Sequence, residues 1–423
     1  MAVVEEQLLH ARCAGVDLSK KDAKVCVRIV PEGQKRAQVK RSTWGSTIPQ
    51  IRDLRDHLVA QQVTCVVLEA TSSYWKPFYQ VLEDAEFEVI LVNPQHVKSM
   101  RGRKSDMADA NHLARLGALG LLRPSFVPPR EFRALRLLTR RRLKVTQSRT
   151  REISRLEKLL EDAGIKITSE SSATLNASVR DILDAICAGV ADPGALADLS
   201  RLKTTRQRLI DALSGTVEAW HVQMIRSHLR MIDFHTEELD KLDEQIAELA
   251  APYQEQLELL RTIPGIGPRL AVDILAEIGP DMDVFPTAAN LASWCGVAPG
   301  SNQSAGVIKS TRCRKGDHHA KRVLQIAANN AVRKPGTFYH SRYQRLVRRM
   351  GKVKAQTAIA RCIAVAIWHM LTNGEPYKDL GGAHHDNRNK AGLIAWHQAR
   401  LNELIADQDA NPPPPQDHHT PAA

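Results

Sequence analysis

The chain has 423 residues, room for two or three domains, with an ordinary apolar content of 43% and few aromatics at 4%. Lysine and arginine outnumber aspartate and glutamate 59 to 47, a net charge of +12 that suits a polyanionic partner. The scarcity of aromatics argues against binding by base stacking, and no apolar run approaches the roughly 20 residues of a membrane span.

Residues 12 to about 120 alternate strand and helix signals. Arg12–Leu18 and Lys24–Val30 read as strands joined by the polar turn Ser19-Lys20-Lys21-Asp22, and a weaker strand is expected near Ala37–Lys40. Ser46–Gln61 has helical spacing, with Ile48, Ile51, Leu54 and Leu58 on one face. Val63–Glu69 reads as a strand, Trp75–Asp84 as a helix, Glu88–Val92 as a strand and about Ser105 to Leu119 as a helix. The order β-β-β-α-β-α-β-α is that of a ribonuclease-H-like fold. From Arg130 to about Leu160 a long charged helix is expected. Arg133, Arg136, Arg140, Lys144, Arg151 and Arg155 form a basic stripe beside apolar Leu135, Leu138, Val145, Ile153, Leu156 and Leu160. A second such segment, from about Arg206 to Leu260, approaches a heptad at Leu239, Leu242, Ile246 and Leu249. The pair predicts an antiparallel coiled-coil arm, with residues 164–205 the least readable. The expected divisions are 1–129, an α/β domain; 130–258, the arm; 259–375, a mainly helical domain; and 376–423, a polar tail whose Pro-rich end is compositionally disordered. The acidic start Met1-Ala2-Val3-Val4-Glu5-Glu6 lacks the layout of a signal peptide. The seven scattered cysteines (Cys13, Cys26, Cys65, Cys187, Cys295, Cys313 and Cys362) contain no C-x-x-C pair and read as reduced, buried thiols. The histidine pairs His318/His319, His384/His385 and His418/His419 lack metal-ligand spacing with any cysteine.

Three constellations carry chemistry. Asp17 stands in an apolar strand, where a carboxylate destabilises unless it is paired or metal-bound. Glu69 ends a second strand, and Asp106 and Asp109 share one face of a helix start. Carboxylates so placed offer hard oxygen ligands to divalent cations that handle phosphodiesters. Next, Ile263-Pro264-Gly265-Ile266-Gly267-Pro268-Arg269 matches a helix-hairpin-helix pattern. In that pattern Gly265 and Gly267 let backbone N–H groups approach a DNA phosphate. Last, 296–316 reads as a flexible Gly/Ser/Asn loop followed by Lys309, Arg312, Arg314 and Lys315, cations able to stabilise a phosphoryl transition state. A serine there would need activation by metal or basic neighbours, and spacing alone does not choose among Ser301, Ser304 and Ser310.

At these motifs the chain resembles a known family. Gly15-Val16-Asp17-Leu18-Ser19-Lys20, Leu68-Glu69-Ala70-Thr71-Ser72-Ser73-Tyr74-Trp75, Asn93-Pro94 and Lys104-Ser105-Asp106-Met107-Ala108-Asp109-Ala110 resemble the N-terminal domain of insertion-sequence-110-type transposases. Ile263-Pro264-Gly265-Ile266-Gly267, Ala298-Pro299-Gly300 and Asn302-Gln303-Ser304-Ala305-Gly306 resemble their C-terminal domain. The resemblance implies a RuvC-like domain whose DEDD set, Asp17, Glu69, Asp106 and Asp109, holds Mg2+ or Mn2+. It implies Ser304 as a nucleophile that joins DNA strands through a transient phosphoserine. It also implies double-stranded donor and target DNA, a structured guide RNA from the element, and a homo-oligomer, dimer or tetramer, with composite active sites. A cytoplasmic protein, at the nucleoid when acting and away from membranes, goes with it. Family members often carry a lysine directly after Ser-Ala-Gly, whereas here Val307 and Ile308 precede Lys309. Other readings are a RuvC-like endonuclease using metal-activated water, an actin-like-fold phosphotransferase and a non-catalytic DNA-binding protein. The phosphotransferase needs a glycine-rich phosphate loop, which Ser19-Lys20-Lys21-Asp22 is not.

Overall fold

The computed structural model describes residues 8–34, 36–94, 106–171, 173–300, 302–304, 307–310, 312–313, 315–384, 387 and 390–410. They fall in two compact units, Met1–Val127 and Pro128–Ala423. In the first unit, five strands form one mixed sheet: β1 (Arg12–Leu18), β2 (Asp22–Ile29), β3 (Gln38–Gly45), β4 (Cys65–Glu69) and β5 (Glu88–Val92). The spatial order is β3-β2-β1-β4-β5, antiparallel from β1 through β3 and parallel from β1 through β5. Period-two alternation divides β1 and β4 between two cores. Ala14, Val16, Leu18, Val66 and Leu68 face α1 (Ile48–Ala60) and α2 (Trp75–Leu82), while Cys13, Cys65 and Val67 pack with Leu113 and Leu116 of α3 (Asp106–Ala118). The chain order β-β-β-α-β-α-β-α and helices on both faces are consistent with a RuvC-like domain. The third strand is longer than Ala37–Lys40. Its first four residues are exposed, so it carries no alternation for the sequence to show, and its pairing with β2 holds it.

The second unit is helical apart from one hairpin. The long α4 (Arg130–Asp162) packs along α8 (Ala219–Ala250). Arg142 meets Asp243, Arg149 meets Thr236 and Glu152 meets His228, so the two helices run antiparallel. The expected continuous helix from Arg206 to Leu260 is instead three α-helices: α7 (Arg206–Leu213), α8 and α9 (Gln254–Arg261). Ser214-Gly215 closes α7, Glu218 and His221 cap each other to start α8, and a 3-10 turn containing Pro252 separates α8 from α9. The poorly readable 164–205 region holds α5 (Ala177–Ala188) and α6 (Pro193–Asp198), begun by the side-chain caps of Asn176 and Asp192. They pack with α4, α7 and α8 around Leu156, Leu160, Ile182, Leu183 and Ile225. After α9 come α10 (Pro268–Ile278), α11 (Ala288–Trp294), β6 (Asn302–Ser304), β7 (Val307–Ser310), α12 (His318–Ala331), α13 (Phe338–Met350), α14 (Lys352–Asn373) and an exposed α15 (Lys390–Ala410). The sequence reading had no helix in the tail; the Pro-rich end lies outside the described residues. Among the described residues no helix is long and apolar enough to cross a membrane.

Candidate active site

Register brings the strand carboxylates together. In the parallel pairing of β1 with β4, Val16 stands opposite Leu68, so Asp17 and Glu69 follow side by side. Alternation puts both on the face that bears α3, in line with Cys13 and Gly15 on one strand and Cys65 and Val67 on the other. The helix can lie on that face because Gly15 has no side chain. A Cβ there would stand 2.1 Å from the Ala110 carbonyl oxygen and 2.4 Å from the Ala114 nitrogen. Gly117 acts likewise one turn on, where a Cβ would meet Val67 at 2.5 Å and the Cys13 sulfur at 2.8 Å. Seated in this way, α3 presents Asp106 and Asp109 in its first turn.

Electrostatics show that the four acids share one field. The Asp17 carboxyl is pushed up to about 6, first by burial and then by the charges of Glu69, Asp106 and Asp109. Lys24, the β2 residue opposite Asp17, directs its ammonium to Asp22 at 2.8 Å. Ser72, at φ 50° in the turn after Glu69, is one of two described non-glycine residues in the left-handed region. A half-buried aspartate crowded by three acids fits a hard divalent cation, whose charge would relieve the repulsion. Asp17, Glu69, Asp106 and Asp109 are the residues that would hold it. Among the described residues, no three of these four carboxylates come within 4.8 Å of one another.

In the second unit the structure changes the reading of several residues. The expected flexible loop contains an antiparallel hairpin. Ser304 pairs with Val307, Gln303 with Ile308 and Asn302 with Ser310 across a bulge, and Pro299 bridges to Cys313 below. The β-branched Val307 and Ile308 favour a strand where a Gly/Ser composition suggested a loop. Ser304 is therefore the last residue of β6, at the hairpin end. Arg312 and Lys315 are exposed; Ser301 and Arg314 lie outside the described residues, as do the side chains of Ser304 and Lys309.

Gly265 and Gly267 join α9 to α10, with Gly267 as the N-cap. Gly265, at φ 93°, is required by contact within the unit. A Cβ would stand 2.5 Å from the Ala331 nitrogen, and the Gly265 carbonyl accepts from Asn330 at 3.2 Å. A Cβ on Gly267 would meet nothing within 4 Å, so its surroundings are open.

Four members of the basic stripe, Arg133, Arg136, Arg140 and Arg155, are engaged within the unit, Arg155 with Glu152 three residues before it. Arg140 grips the buried Glu277 with Nε at 2.8 Å and an Nη at 2.6 Å, and Arg136 adds Nε at 3.3 Å. Arg142 is itself buried between Asp243 at 2.6 Å and Asp273 at 2.7 Å. Arg136 and Arg140 thus fasten α4 to α10. Arg133 donates to the Pro128 carbonyl at 2.9 Å. Lys144, Arg151, Arg155 and Lys158 are exposed, and Arg151, Arg155 and Lys158 line a shallow groove with Thr150 and Ser154. The sequence reading passed over a second basic surface. At the junction of α13 and α14, Arg348, Arg349, Lys352 and Lys354 are all exposed. Its sequence signal is the density of cations in 342–354, which no motif spacing marks.

Acidic residues on a sheet, followed in the chain by a basic helical unit, suit an enzyme acting on nucleic-acid strands. Residues 14–165 match a family model described as a transposase, and 257–344 match the transposase IS116/IS110/IS902 family; together the matches span more than half the chain. The chain is 24% identical over 380 residues to the transposase for insertion sequence element IS1111A of Coxiella burnetii, covering 86% of this chain and 90% of the relative. It is also 24% identical over 329 residues to a putative transposase, y4pF/y4sB, of Sinorhizobium fredii, covering 75% and 76%. An uncharacterized IS110 protein of Streptomyces coelicolor is 30% identical over 199 residues, covering 43% and 48%. The chain belongs to the IS110-type insertion-sequence transposases.

Proposed function

We propose that this transposase cuts and rejoins DNA through Ser304, assisted by a divalent cation, Mg2+ or Mn2+, on Asp17, Glu69, Asp106 and Asp109. The observation that carries the cation site is the crowding that raises Asp17: Glu69, Asp106 and Asp109 lie near enough for their charges to act on it, and cation binding would relieve that repulsion. The serine role rests on the resemblance of Asn302-Gln303-Ser304-Ala305-Gly306 to the family's C-terminal motif and on the place of Ser304 at a hairpin end.

Ser304 Oγ attacks the scissile phosphorus and its proton passes to solvent. The phosphorus–oxygen bond to the leaving strand breaks and frees a DNA hydroxyl. A hydroxyl of the incoming strand then attacks the phosphoserine, remakes a phosphodiester and returns the serine. The linkage conserves the bond energy, so rejoining needs no nucleotide cofactor. When bound, the cation supplies Lewis acidity to the phosphate oxygens. Lys309, Arg312, Arg314 and Lys315 would steady the charge that develops on the phosphate. Lys144, Arg151 and Arg155, with Arg348, Arg349, Lys352 and Lys354, would contact nucleic-acid backbone. Donor and target DNA would be chosen by a structured guide RNA from the element. The serine of one subunit would meet the acidic site of another in a dimer or tetramer.

The test is capture of covalent protein–DNA adduct on element-junction DNA with the element's RNA and Mg2+. The wild type should form adduct and exchange strands; Ser304→Ala and Asp17→Asn should do neither. Undiminished cleavage by Ser304→Ala without adduct would mean metal-activated water, the chemistry of a plain endonuclease.

A further inference from the structure

We propose that the first unit carries a second metal site, built for a borderline ion such as Zn2+, at the opposite end of the sheet from the acidic cluster. Its residues are His10, Cys65 and Glu88, with Cys13 beside them. A ligand atom from each of His10, Cys65 and Glu88 lies within 4.8 Å of the other two. The sheet explains the meeting. Cys13 is in register with Cys65 across β1 and β4, and Cys65 with Glu88 across β4 and β5, so the three form one row. His10 precedes β1 and is fixed by its backbone N–H donating to the Ala118 carbonyl at 3.1 Å. The sequence hid this because Cys65 and Glu88 are far from His10 in the chain and no short Cys/His spacing marks them.

The hydrogen bonding of His10 prepares it for a cation. The Thr64 hydroxyl donates to the Arg12 carbonyl at 3.1 Å, so toward the His10 Nδ1 at 3.4 Å it can only accept. In the tautomer that carries its proton on Nδ1, the Nε2 lone pair points the other way and is available to a metal. Nε2 is shielded from solvent and has no hydrogen-bond partner. It stands 3.4 Å from a carboxylate oxygen of Glu88, with the buried Cys65 sulfur close by. A lone pair, a carboxylate and a thiol converge there, a donor set that repels itself and that a cation would reconcile. A metal-binding histidine commonly donates its other ring N–H to an oxygen acceptor that fixes its orientation. Nitrogen, sulfur and one carboxylate select zinc-like ions over Mg2+. On binding, the Cys65 thiol releases its proton to solvent, and water reaching the exposed Glu88 completes four ligands. Asp17 lies four residues along β1 from Cys13, about 13 Å away at strand rise, so this ion would be separate from the catalytic one. It would staple the segment before β1 to β4 and β5.

The test uses the full chain, stripped with chelator and titrated with Co2+ as a spectroscopic probe, then with Zn2+. One equivalent should bind with the visible bands of a tetrahedral site and a thiolate-to-cobalt charge-transfer band, both bleached by Zn2+. Cys65→Ser should lose the charge-transfer band. His10→Ala and Glu88→Gln, which leave the buried core untouched, should each weaken Zn2+ binding at least tenfold. Asp17→Asn should leave the band unchanged, which separates this site from the catalytic cluster. No charge-transfer band in the wild type, its survival in Cys65→Ser, or unchanged Zn2+ affinity in both His10→Ala and Glu88→Gln would reduce the cluster to an ordinary His–Glu ion pair over a buried thiol.

Discussion

Asp17 is an acid that the fold holds at a disadvantage. Its carboxyl sits at about 6 where an ordinary aspartate lies near 3.8, because burial and three neighbouring acids oppose its ionisation. The sign of the linkage follows. Below about pH 4 the group is protonated both folded and unfolded, and it has no effect on stability. As pH rises from about 4 to about 6 the unfolded chain gives up the proton first, so stability falls; above 6 the deficit is constant. Asp17→Asn removes the charge and should stabilise the metal-free protein at pH 7.5 by about 1 kcal/mol, a figure discounted from the full shift because solvent reaches part of the carboxyl. The gain should vanish near pH 4. Melting in EDTA at the two pH values checks this, and an equal gain at both would mean that crowding is not its origin. The same variant should lose transposition, the usual opposition between stability and activity at a charged site.

At the scale of elements, a periodic run of cations does not tell who receives the charge. In α4 the positions three and four apart do share a face, as the sequence indicated, yet the buried Glu277, in α10, pairs with Arg136 and Arg140. That partner lies 137 residues from Arg140, beyond anything periodicity reports. The stripe therefore divides into two behaviours. Arg140→Gln leaves Glu277 buried with half its compensation and should cost about 3 kcal/mol of stability. Lys144→Gln with Arg151→Gln should leave the melting temperature in place and lower the salt slope of nucleic-acid binding by about 1 to 2. Binding isotherms at several salt concentrations decide; an unchanged slope would make these side chains a solvated face. The same distinction explains what else was legible. The bounds of β1 and β5 follow from short apolar runs, β-branched in β5, signals local to each strand. The exposed start of β3, the hairpin at Ser304 and the break between α7 and α8 depend on pairing partners and caps, which composition does not reveal. The placement of the four acids was legible because the strands and the helix that carry them were themselves legible; that Gly15 seats the helix was visible only in the packing.

At the scale of the molecule, the chain after α14 has two parts that a single polar tail conceals. Tyr377 stacks on the buried Tyr339 with ring centres 5.4 Å apart and planes 18° apart. Asp379 accepts from the backbone N–H groups of Phe338 at 2.9 Å and Gly381 at 2.7 Å, and the Gly382 N–H donates to the Gly336 carbonyl at 2.8 Å. Residues 377–382 therefore complete the start of α13, the helix whose far end carries Arg348 and Arg349. By contrast, α15 is exposed along its described length, including Ile394, Trp396, Leu401, Leu404 and Ile405. A helix whose described side chains are all exposed adds little to folding, since helical stability comes mostly from a packed face. Ending the chain after His384 should then leave the melting temperature within about 1 °C. Ending it before Tyr377 uncovers Tyr339 and frees the α13 N-terminus, and should lower stability by about 2 to 4 kcal/mol, on the scale of one buried aromatic contact and a lost cap. Calorimetry on the two truncations separates the parts. If the shorter deletion were as damaging as the longer, α15 would hold a structural partner after all. If it left melting intact but abolished transposition, its apolar residues would serve assembly or binding instead.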